Sequence, residues 1–304
     1  MITTEKTGYV PVNGLKVYIE IHGSGEPLVL LHGGLGSMVM FNPLLPLLAK
    51  SRQVIAVDLQ AHGRTADIDR PITCEAMADD IAEILKYLNI DAADFMGYSL
   101  GAGVALQTTI RHPALVKKLV VVSTVFKRDG WYPGILALMD QMGAATADMM
   151  KPSPLYRQYV SVAPRPLDWT TLVTKTSDLL RKDFDWSSQI AAINSPTMLV
   201  FGDADSMPAA HIAEFFALLG GGQKDGGWDG SGISNARLAI LPGVTHYNVM
   251  ESPLLAQVVA PFLNINIRVE IPSVRTPSSE SFAGRIRHGR TQHRSSAGNG
   301  AVGG

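Results

Sequence analysis

A serine lies at the centre of residues 97–101, which read Gly-Tyr-Ser-Leu-Gly. A mostly apolar run, 92–96, precedes them, and residues 102–111 have the composition of a helix. A strand that turns directly into a helix bends so sharply that a Cβ on either side of the apex would collide with its neighbours. The spacing therefore predicts a strand, a strained turn carrying Ser99, and a helix whose positive N-terminal end lies beside the Ser99 hydroxyl.

This short pattern also arises by chance in a chain with 29 glycines in 304 residues, so it needs support from the rest of the sequence. Short apolar runs recur and alternate with segments of helical periodicity; the runs cover residues 28–31, 54–57, 119–122, 197–201 and 238–241. Such alternation predicts an α/β fold, with a mostly parallel central sheet and helices on both faces. Residues 9–12 and 15–21 flank Asn13-Gly14 and are predicted to form an N-terminal hairpin.

Two segments depart from this alternation. Residues 126–190 carry three tryptophans, four methionines and several prolines, with helical periodicity and no clear strand. We expect them to form an inserted helical lid that lines an apolar pocket, although any one methionine could equally belong to a helix core. Residues 264–304 form a basic, serine- and glycine-rich tail, which we expect to be disordered. The folded domain is therefore predicted to span residues 1–263.

Composition restricts the partners. The net charge is −1 and charged residues make up 17% of the chain, which argues against a nucleic-acid or anionic membrane surface as partner. A nucleic-acid-binding role for the basic tail is left as a weaker alternative. No apolar segment reaches the length of a membrane span, and the N-terminus lacks a secretory signal, so we expect a cytoplasmic protein acting on a small molecule. The single cysteine, Cys74, is expected to be buried rather than reactive.

A serine hydroxyl becomes a useful nucleophile only beside a general base that is itself oriented by an acid. Asp203 and Asp205 follow the apolar run 197–201, at the carboxyl edge where sites of open α/β sheets form. His246 follows the last apolar run. No group of His, Cys, Asp or Glu has metal-ligand spacing, so we expect neither a metal nor another cofactor.

The order Ser99, Asp205, His246 resembles that of the α/β-hydrolase fold. Residues 32–36, His-Gly-Gly-Leu-Gly, resemble its oxyanion turn, residues 58–65 resemble the loop after its third strand, and residues 243–246 with 251–253 resemble its histidine loop. The similarity covers about residues 9–263. It departs from the usual pattern at Gln60-Ala61, where arginine and glycine are common, so the resemblance does not predict the local geometry of that loop.

The resemblance implies a role for five residues. Ser99 would be the nucleophile, His246 the general base and then acid, and Asp205 the carboxylate that orients the histidine. The backbone N–H groups of Gly34 and Leu100 would form the oxyanion hole. Asp203 is the main alternative to Asp205, and Asp129 is a third candidate, because some relatives use that position.

Two other histidines are given no catalytic role. His32 is expected to hydrogen-bond the backbone around the oxyanion turn, and His211 is expected to face solvent. The expected reaction is hydrolysis of a carboxylic ester or lactone with a hydrophobic group, through an acyl-enzyme. Hydrolytic C–C cleavage, cofactor-free perhydrolysis of the haloperoxidase type and amide hydrolysis use the same residues, and a ligand-binding receptor of the same fold is an alternative from another class.

Overall fold

The computed structural model describes residues 4–264, and an eight-stranded sheet forms the centre of this part of the chain. The predicted disordered tail, apart from Asn264, lies outside the described residues. The strands are β1 (Thr4–Val12), β2 (Leu15–His22), β3 (Glu26–Leu31), β4 (Arg52–Val57), β5 (Ala93–Tyr98), β6 (Val116–Val122), β7 (Thr197–Ala204) and β8 (Ala236–Thr245). Their order in the sheet is β1-β2-β4-β3-β5-β6-β7-β8.

Strand pairing matches the predicted fold class. β1 and β2 form the expected antiparallel hairpin, and Asn13 and Gly14 take the positive φ values of 46° and 82° that its two-residue turn requires. β2 pairs antiparallel with β4, and every pair from β4 to β8 is parallel. The prediction of a mostly parallel central sheet is confirmed.

The uninterrupted apolar runs follow from burial of the sheet on both faces. In β3, Val29 and Leu31 belong to one core cluster, whereas Leu28 and Leu30 belong to the other. All four are buried. Because successive side chains of a strand point to opposite faces, a strand covered on both sides has to be apolar at every position.

Ten α-helices lie among the described residues: α1 (Leu45–Leu48), α2 (Cys74–Tyr87), α3 (Leu100–Arg111), α4 (Pro133–Gln141), α5 (Ala144–Met149), α6 (Pro154–Val162), α7 (Trp169–Arg181), α8 (Ser187–Ala191), α9 (Ala209–Leu218) and α10 (Pro253–Phe262). Side chains of α2, α3 and α9 join one core cluster, and those of α1 and α10 join the other. The two sets of helices therefore cover opposite faces of the sheet.

Helices α4–α8 are inserted between β6 and β7, within the segment predicted to be helical. Trp169 organises their interior: its side chain is buried, and its Nε1 donates a hydrogen bond to the Ala147 carbonyl at 2.9 Å. The Lys175 ammonium joins α7 to the body of the fold by donating to Asp67 Oδ2 at 2.6 Å. The insertion is thus packed around its own aromatic core and anchored by a half-buried ion pair; its action as a lid stays a prediction.

The sequence departs from the resembled pattern at Gln60-Ala61, and side-chain hydrogen bonds of Gln60 order this loop instead. Gln60 is buried, donates to Asp67 Oδ1 at 2.9 Å, and accepts from Arg70 Nε at 2.7 Å. Ala61 takes a φ of 65°, a conformation that favours glycine. The Gln60 amide therefore connects this loop to the segment that leads into α2, and the loop accepts some backbone strain at Ala61.

Candidate active site

Ser99 occupies the apex of the predicted turn, directly between β5 and α3. Its φ and ψ are 52° and −115°, a conformation that non-glycine residues rarely adopt. A Cβ on Gly97 would lie 2.3 Å from the Gly101 carbonyl oxygen, and a Cβ on Gly101 would lie 2.1 Å from the Leu31 carbonyl oxygen. Both glycines are therefore needed for the backbones of strand and helix to approach this closely.

The structure brings Ser99, His246 and Asp205 together. His246 Nε2 lies 3.1 Å from Ser99 Oγ, and His246 Nδ1 lies 3.0 Å from Asp205 Oδ1. The Tyr98 hydroxyl donates to the His246 carbonyl at 2.7 Å, and the Trp131 ring packs edge-on against the imidazole. These contacts hold the histidine loop above the serine, so that one imidazole can reach both partners.

The Asp205 carboxylate is buried and accepts four hydrogen bonds. Oδ1 accepts from His246 and from the Ser206 N–H at 2.7 Å, while Oδ2 accepts from Ser123 Oγ at 2.6 Å and from the Gly202 N–H at 3.1 Å. Burial acts to raise the pKa of Asp205, but the hydrogen bonds from His246, Ser123 and the Ser206 N–H, together with the charge of His246, outweigh it and hold that pKa below its usual value. The carboxylate therefore stays ionised beside the imidazole.

Ser123 was not recognised in the sequence. It follows β6, is fully buried, and has a φ of 52°, so its backbone is strained in the same region as that of Ser99. Its N–H donates to the Val200 carbonyl at 2.9 Å, and its hydroxyl donates to Asp205. The sequence offers one indication of this role: Ser123 is a polar residue at the carboxyl end of the strand next to β7. That position alone does not distinguish it from an ordinary loop serine.

The structure does not bring the two alternative acids to the imidazole. Asp203 is exposed, and its Oδ1 accepts from the Val244 N–H at 3.2 Å. The Asp129 side chain is 78% exposed, and its carboxylate lies 4.0 Å from the Lys127 ammonium. Among the described carboxylates, Asp205 is the one that hydrogen-bonds His246.

Gly34 and Leu100 lie side by side at the cavity that contains Ser99. A Cβ on Gly34 would lie 3.8 Å from the Leu100 side chain. Leu100 is the first residue of α3, and the first N–H groups of a helix have no partner within the helix. The Leu100 N–H is therefore able to donate to a ligand at this point, as the sequence interpretation requires.

His32 contributes to the turn through both ring nitrogens. Nδ1 lies 2.8 Å from the Gly33 carbonyl, and Nε2 accepts from the Leu59 N–H at 3.0 Å, which assigns the proton to Nδ1. The ring is fully buried, and burial lowers the pKa of His32 to about 4. His62, which packs against it, has a pKa lowered by burial to about 3. His32 thus serves as a neutral structural bridge, as expected.

We expect acid to destabilise the protein because of these two rings. The unfolded state takes up the proton near pH 6.5, whereas folded His32 stays neutral until about pH 4, so the stabilisation is complete above pH 6.5 and is lost as the pH falls toward 4. Between pH 7 and 5 the free energy of unfolding should fall by about 2 kcal/mol from His32 alone. Urea unfolding at the two pH values measures this; an unchanged free energy would contradict the buried neutral rings.

The expectation that His211 faces solvent is wrong. Its side chain is 5% exposed and stacks on Phe126 with ring centroids 4.3 Å apart. A Cβ on Gly130 would lie 2.3 Å from the His211 ring. His211 is four residues before Phe215 and so shares its buried face of α9, where Phe126 and the backbone at Gly130 cover it.

A cavity of about 520 Å³ opens beside Ser99 and His246, within the size range of small-molecule sites. The insertion supplies much of its apolar lining, which includes Trp131, Ile135, Leu138, Met139, Met142, Met150, Leu179, Phe184 and Trp186. The predicted pocket-lining methionines are therefore present except for Met149, which is 71% exposed. Cys74 also lines the cavity and is buried, as expected.

Residues 26–253, most of the chain, match the family described as alpha/beta hydrolase fold. The chain belongs to the alpha/beta hydrolase fold family. The topology and the serine turn described above are those that the resemblance implied. Among the described residues of this family member, no helix combines the length and apolarity that a bilayer span requires. Within the same range, no three His, Cys, Asp or Glu side chains are grouped so that they could hold a metal ion.

Several relatives of this hydrolase-fold chain are named as hydrolases. It is 34% identical over 115 residues to the 2-hydroxymuconate semialdehyde hydrolase of Pseudomonas sp. (strain CF600), covering 36% of this chain and 41% of that protein. It is 28% identical over 229 residues to the putative carbamate hydrolase RutD of Serratia proteamaculans (strain 568), covering 66% and 83%. The chain thus spans less than half the length of the first of these relatives.

Solved structures of other proteins share the fold of this chain. The enol-lactonase from Burkholderia xenovorans LB400 superposes with a TM-score of 0.63 at 21% sequence identity, over 84% of this chain and 99% of that one. Identity at this level shows a shared fold and leaves substrate and reaction to be argued from the site.

Proposed function

We propose that this protein is a serine hydrolase that cleaves a carboxylic ester or lactone with a hydrophobic, uncharged acyl group. The supporting observation is the chain of contacts from Ser99 Oγ through His246 to the buried Asp205 carboxylate, at 3.1 and 3.0 Å. A serine paired with an oriented imidazole is the arrangement that nucleophilic acyl transfer needs.

In the proposed reaction, Ser99 Oγ attacks the substrate carbonyl carbon while its proton passes to His246 Nε2. The carbonyl oxygen becomes negative and accepts hydrogen bonds from the Gly34 and Leu100 N–H groups. The C–O bond to the leaving alkoxide then breaks as His246 donates its proton to that oxygen. Water, deprotonated in turn by His246, hydrolyses the acyl-enzyme and regenerates Ser99. Asp205 stabilises the imidazolium in both steps without taking its proton.

The charge distribution of the cavity favours an uncharged substrate. Among the described residues that line it, Lys182 is the one lysine or arginine, and it is exposed. Glu75 and Asp183 also line the cavity, so carboxylates outnumber this cation. A carboxylate placed among the apolar side chains near Ser99 would lose its hydration without gaining a buried cationic partner, which is costly.

Hydrolysis of a C–C bond beside a ketone is the second candidate, because the relative at 34% identity is named a 2-hydroxymuconate semialdehyde hydrolase. The same serine, imidazole and N–H groups would serve a carbonyl attack followed by C–C cleavage. Such ring-fission products carry a carboxylate, which the lining described above does not favour. The ester or lactone proposal therefore comes first.

A substrate panel tests this proposal. We expect p-nitrophenyl esters to be cleaved, with kcat/KM rising from acetate to hexanoate by up to about fourfold for each buried CH₂ group. Neutral lactones and an anionic hydroxy-oxo-dienoate complete the panel, and the Ser99→Ala protein provides the background rate. Faster turnover of the dienoate than of every ester and lactone would favour C–C hydrolysis instead. No turnover of any ester or lactone would overturn the proposal.

A further inference from the structure

One side chain of the insertion reaches the turn that carries Gly34. Gln158 lies on α6, and its Nε2 donates to Ser37 Oγ at 2.6 Å. Ser37 is 1% exposed and directly follows the turn, residues 32–36. Within the described part of the chain, this is the side-chain hydrogen bond that joins α4–α8 to residues 32–38. The insertion therefore has a direct polar contact with the end of the proposed oxyanion turn.

The body of the fold fixes the two ends of this segment. His32 holds its start, as described above, and the Met38 N–H holds its end by donating to the fully buried Asp58 Oδ1 at 2.8 Å. Between them, Leu35 takes a φ of 59°, a strained conformation for a leucine. A strained segment relaxes unless its surroundings hold it, so a further bond at Ser37 restricts the backbone between the two ends.

The Gln158 amide is itself held in place. Tyr156 and Tyr159, on either side of Gln158 in α6, both pack against Trp169, with ring centroids 5.4 Å apart. Ser37 Oγ also accepts from the Val39 N–H at 3.4 Å, so the same oxygen contacts the turn of helix over residues 38–41. The aromatic core of the insertion is thus connected to the backbone just beyond Gly34.

The position of this backbone matters for the proposed reaction. The Gly34 N–H is proposed to bind the carbonyl oxygen, and it lies three residues before Ser37. A hydrogen bond weakens steeply as its distance and angle depart from the optimum, and misplacing a group by about 1 Å can cost a hundredfold in rate. A contact that holds Ser37 therefore affects how well the Gly34 N–H stabilises the negative oxygen.

We propose that Gln158 is a positioning residue, which acts through Ser37 to hold the Gly34 N–H where the carbonyl oxygen becomes negative. The oxyanion hole is then fully formed only while α6 contacts the turn. Neither Gln158 nor Ser37 is among the described residues that line the cavity, so neither is placed to bind the substrate directly. This inference rests on the proposed acyl transfer and concerns the transition state rather than substrate binding.

Gln158→Met tests the inference, because methionine keeps the length of the side chain and removes its donor. We expect kcat for p-nitrophenyl butanoate to fall about tenfold, less than the loss of a whole oxyanion donor, and KM to change less than about twofold. An alkyl trifluoromethyl ketone forms an adduct with Ser99 that carries the same negative oxygen, so its inhibition constant should rise about tenfold in parallel.

The conservative change Gln158→Glu should restore most of the rate. Its carboxylate has the length of the glutamine side chain and can accept the proton of the Ser37 hydroxyl, so the contact survives with the donor reversed. We expect kcat within about threefold of the wild type. Gln141→Met makes the same change as Gln158→Met at the exposed end of α4 and is the matched control, with wild-type kcat and inhibition constant expected.

A double-mutant cycle shows whether Gln158 acts through Ser37. Ser37→Ala removes the acceptor, so adding Gln158→Met to it should lower kcat no further. If Gln158→Met lowers kcat by the same factor with and without Ser37→Ala, the inference is overturned. It is also overturned if Gln158→Met leaves kcat unchanged, or raises KM at constant kcat, as expected of an insertion that only shapes the cavity.

The rate of fluorophosphonate labelling separates this inference from the proposed function. Attack of Ser99 on phosphorus places a negative oxygen in the same hole, so Gln158→Met should slow labelling about tenfold. If the wild-type protein is labelled but cleaves no ester or lactone, the proposed function fails and the labelling rates still decide the role of Gln158. Equal rates in the two proteins would overturn the inference, and a wild type that is neither active nor labelled would overturn both.

Discussion

Ser99→Ala is expected to lower kcat for any cleaved ester by about a millionfold, to the rate that binding and the oxyanion donors sustain without a nucleophile. The loss is this large because His246 and Asp205 act only through the Ser99 oxygen, 3.1 Å from His246 Nε2. Alanine retains the Cβ and the backbone strain of the turn, so the fold should not change. Steady-state turnover of a p-nitrophenyl ester by the two proteins measures the effect, and the wild type alone should show an acylation burst.

A fluorophosphonate probe gives an independent readout of the same residue. We expect one covalent adduct per chain, on Ser99, as identified by peptide mass spectrometry. Ser161→Ala, at an exposed position on α6, is the matched control and should label like the wild type. Labelling that persists in Ser99→Ala would show that another residue is the nucleophile. A wild-type protein that binds esters without labelling would favour the receptor alternative.

Asp205→Asn is expected to lower kcat about ten-thousandfold, whereas Asp203→Asn should change it less than about twofold. The Asp205 carboxylate accepts from His246 Nδ1 at 3.0 Å, so it keeps the proton on Nδ1 and leaves Nε2 free to accept the Ser99 proton. An asparagine side chain can present an N–H there instead and favour the wrong tautomer. Asp203 is exposed and bonds only to the Val244 N–H among the described groups.

Stability has to be separated from catalysis in this comparison. Asp205 accepts four hydrogen bonds in a buried place, so Asp205→Asn should also lower the melting temperature, and both variants are to be assayed well below their transitions. The kcat of the folded protein is then the quantity compared. A greater loss in Asp203→Asn than in Asp205→Asn would show that Asp203, and not Asp205, orients His246.

The turn at Ser99 could be predicted because its cause is local. Gly97 and Gly101 are required where strand and helix backbones meet, and that requirement is visible in five consecutive residues. The acid that orients His246 has no such local cause. Asp203 and Asp205 are two residues apart, and their local sequence allowed either; the choice came from the resemblance, and in the structure the chain leaves β7 after Ala204 and turns Asp205 inward.

Other features had no local signal. The position of His211 was predicted wrongly because a histidine near the start of a helix has no preferred side until its neighbours are known. Ser123 has the sequence of an ordinary polar residue at a strand end. Its importance comes from a hydrogen bond to Asp205, which lies 82 residues away in the chain.

The sequence by itself determined the fold class and the order of the chemical groups. Periodicity, glycine spacing and apolar runs act over a few residues, where backbone sterics and burial leave few choices. Only the tertiary structure decided which groups meet: Ser99 and His246 are 147 residues apart, and their contact depends on how the sheet aligns the carboxyl ends of β5 and β8. It also decided which buried polar atoms remain unpaired, because pairing depends on neighbours distant in the chain.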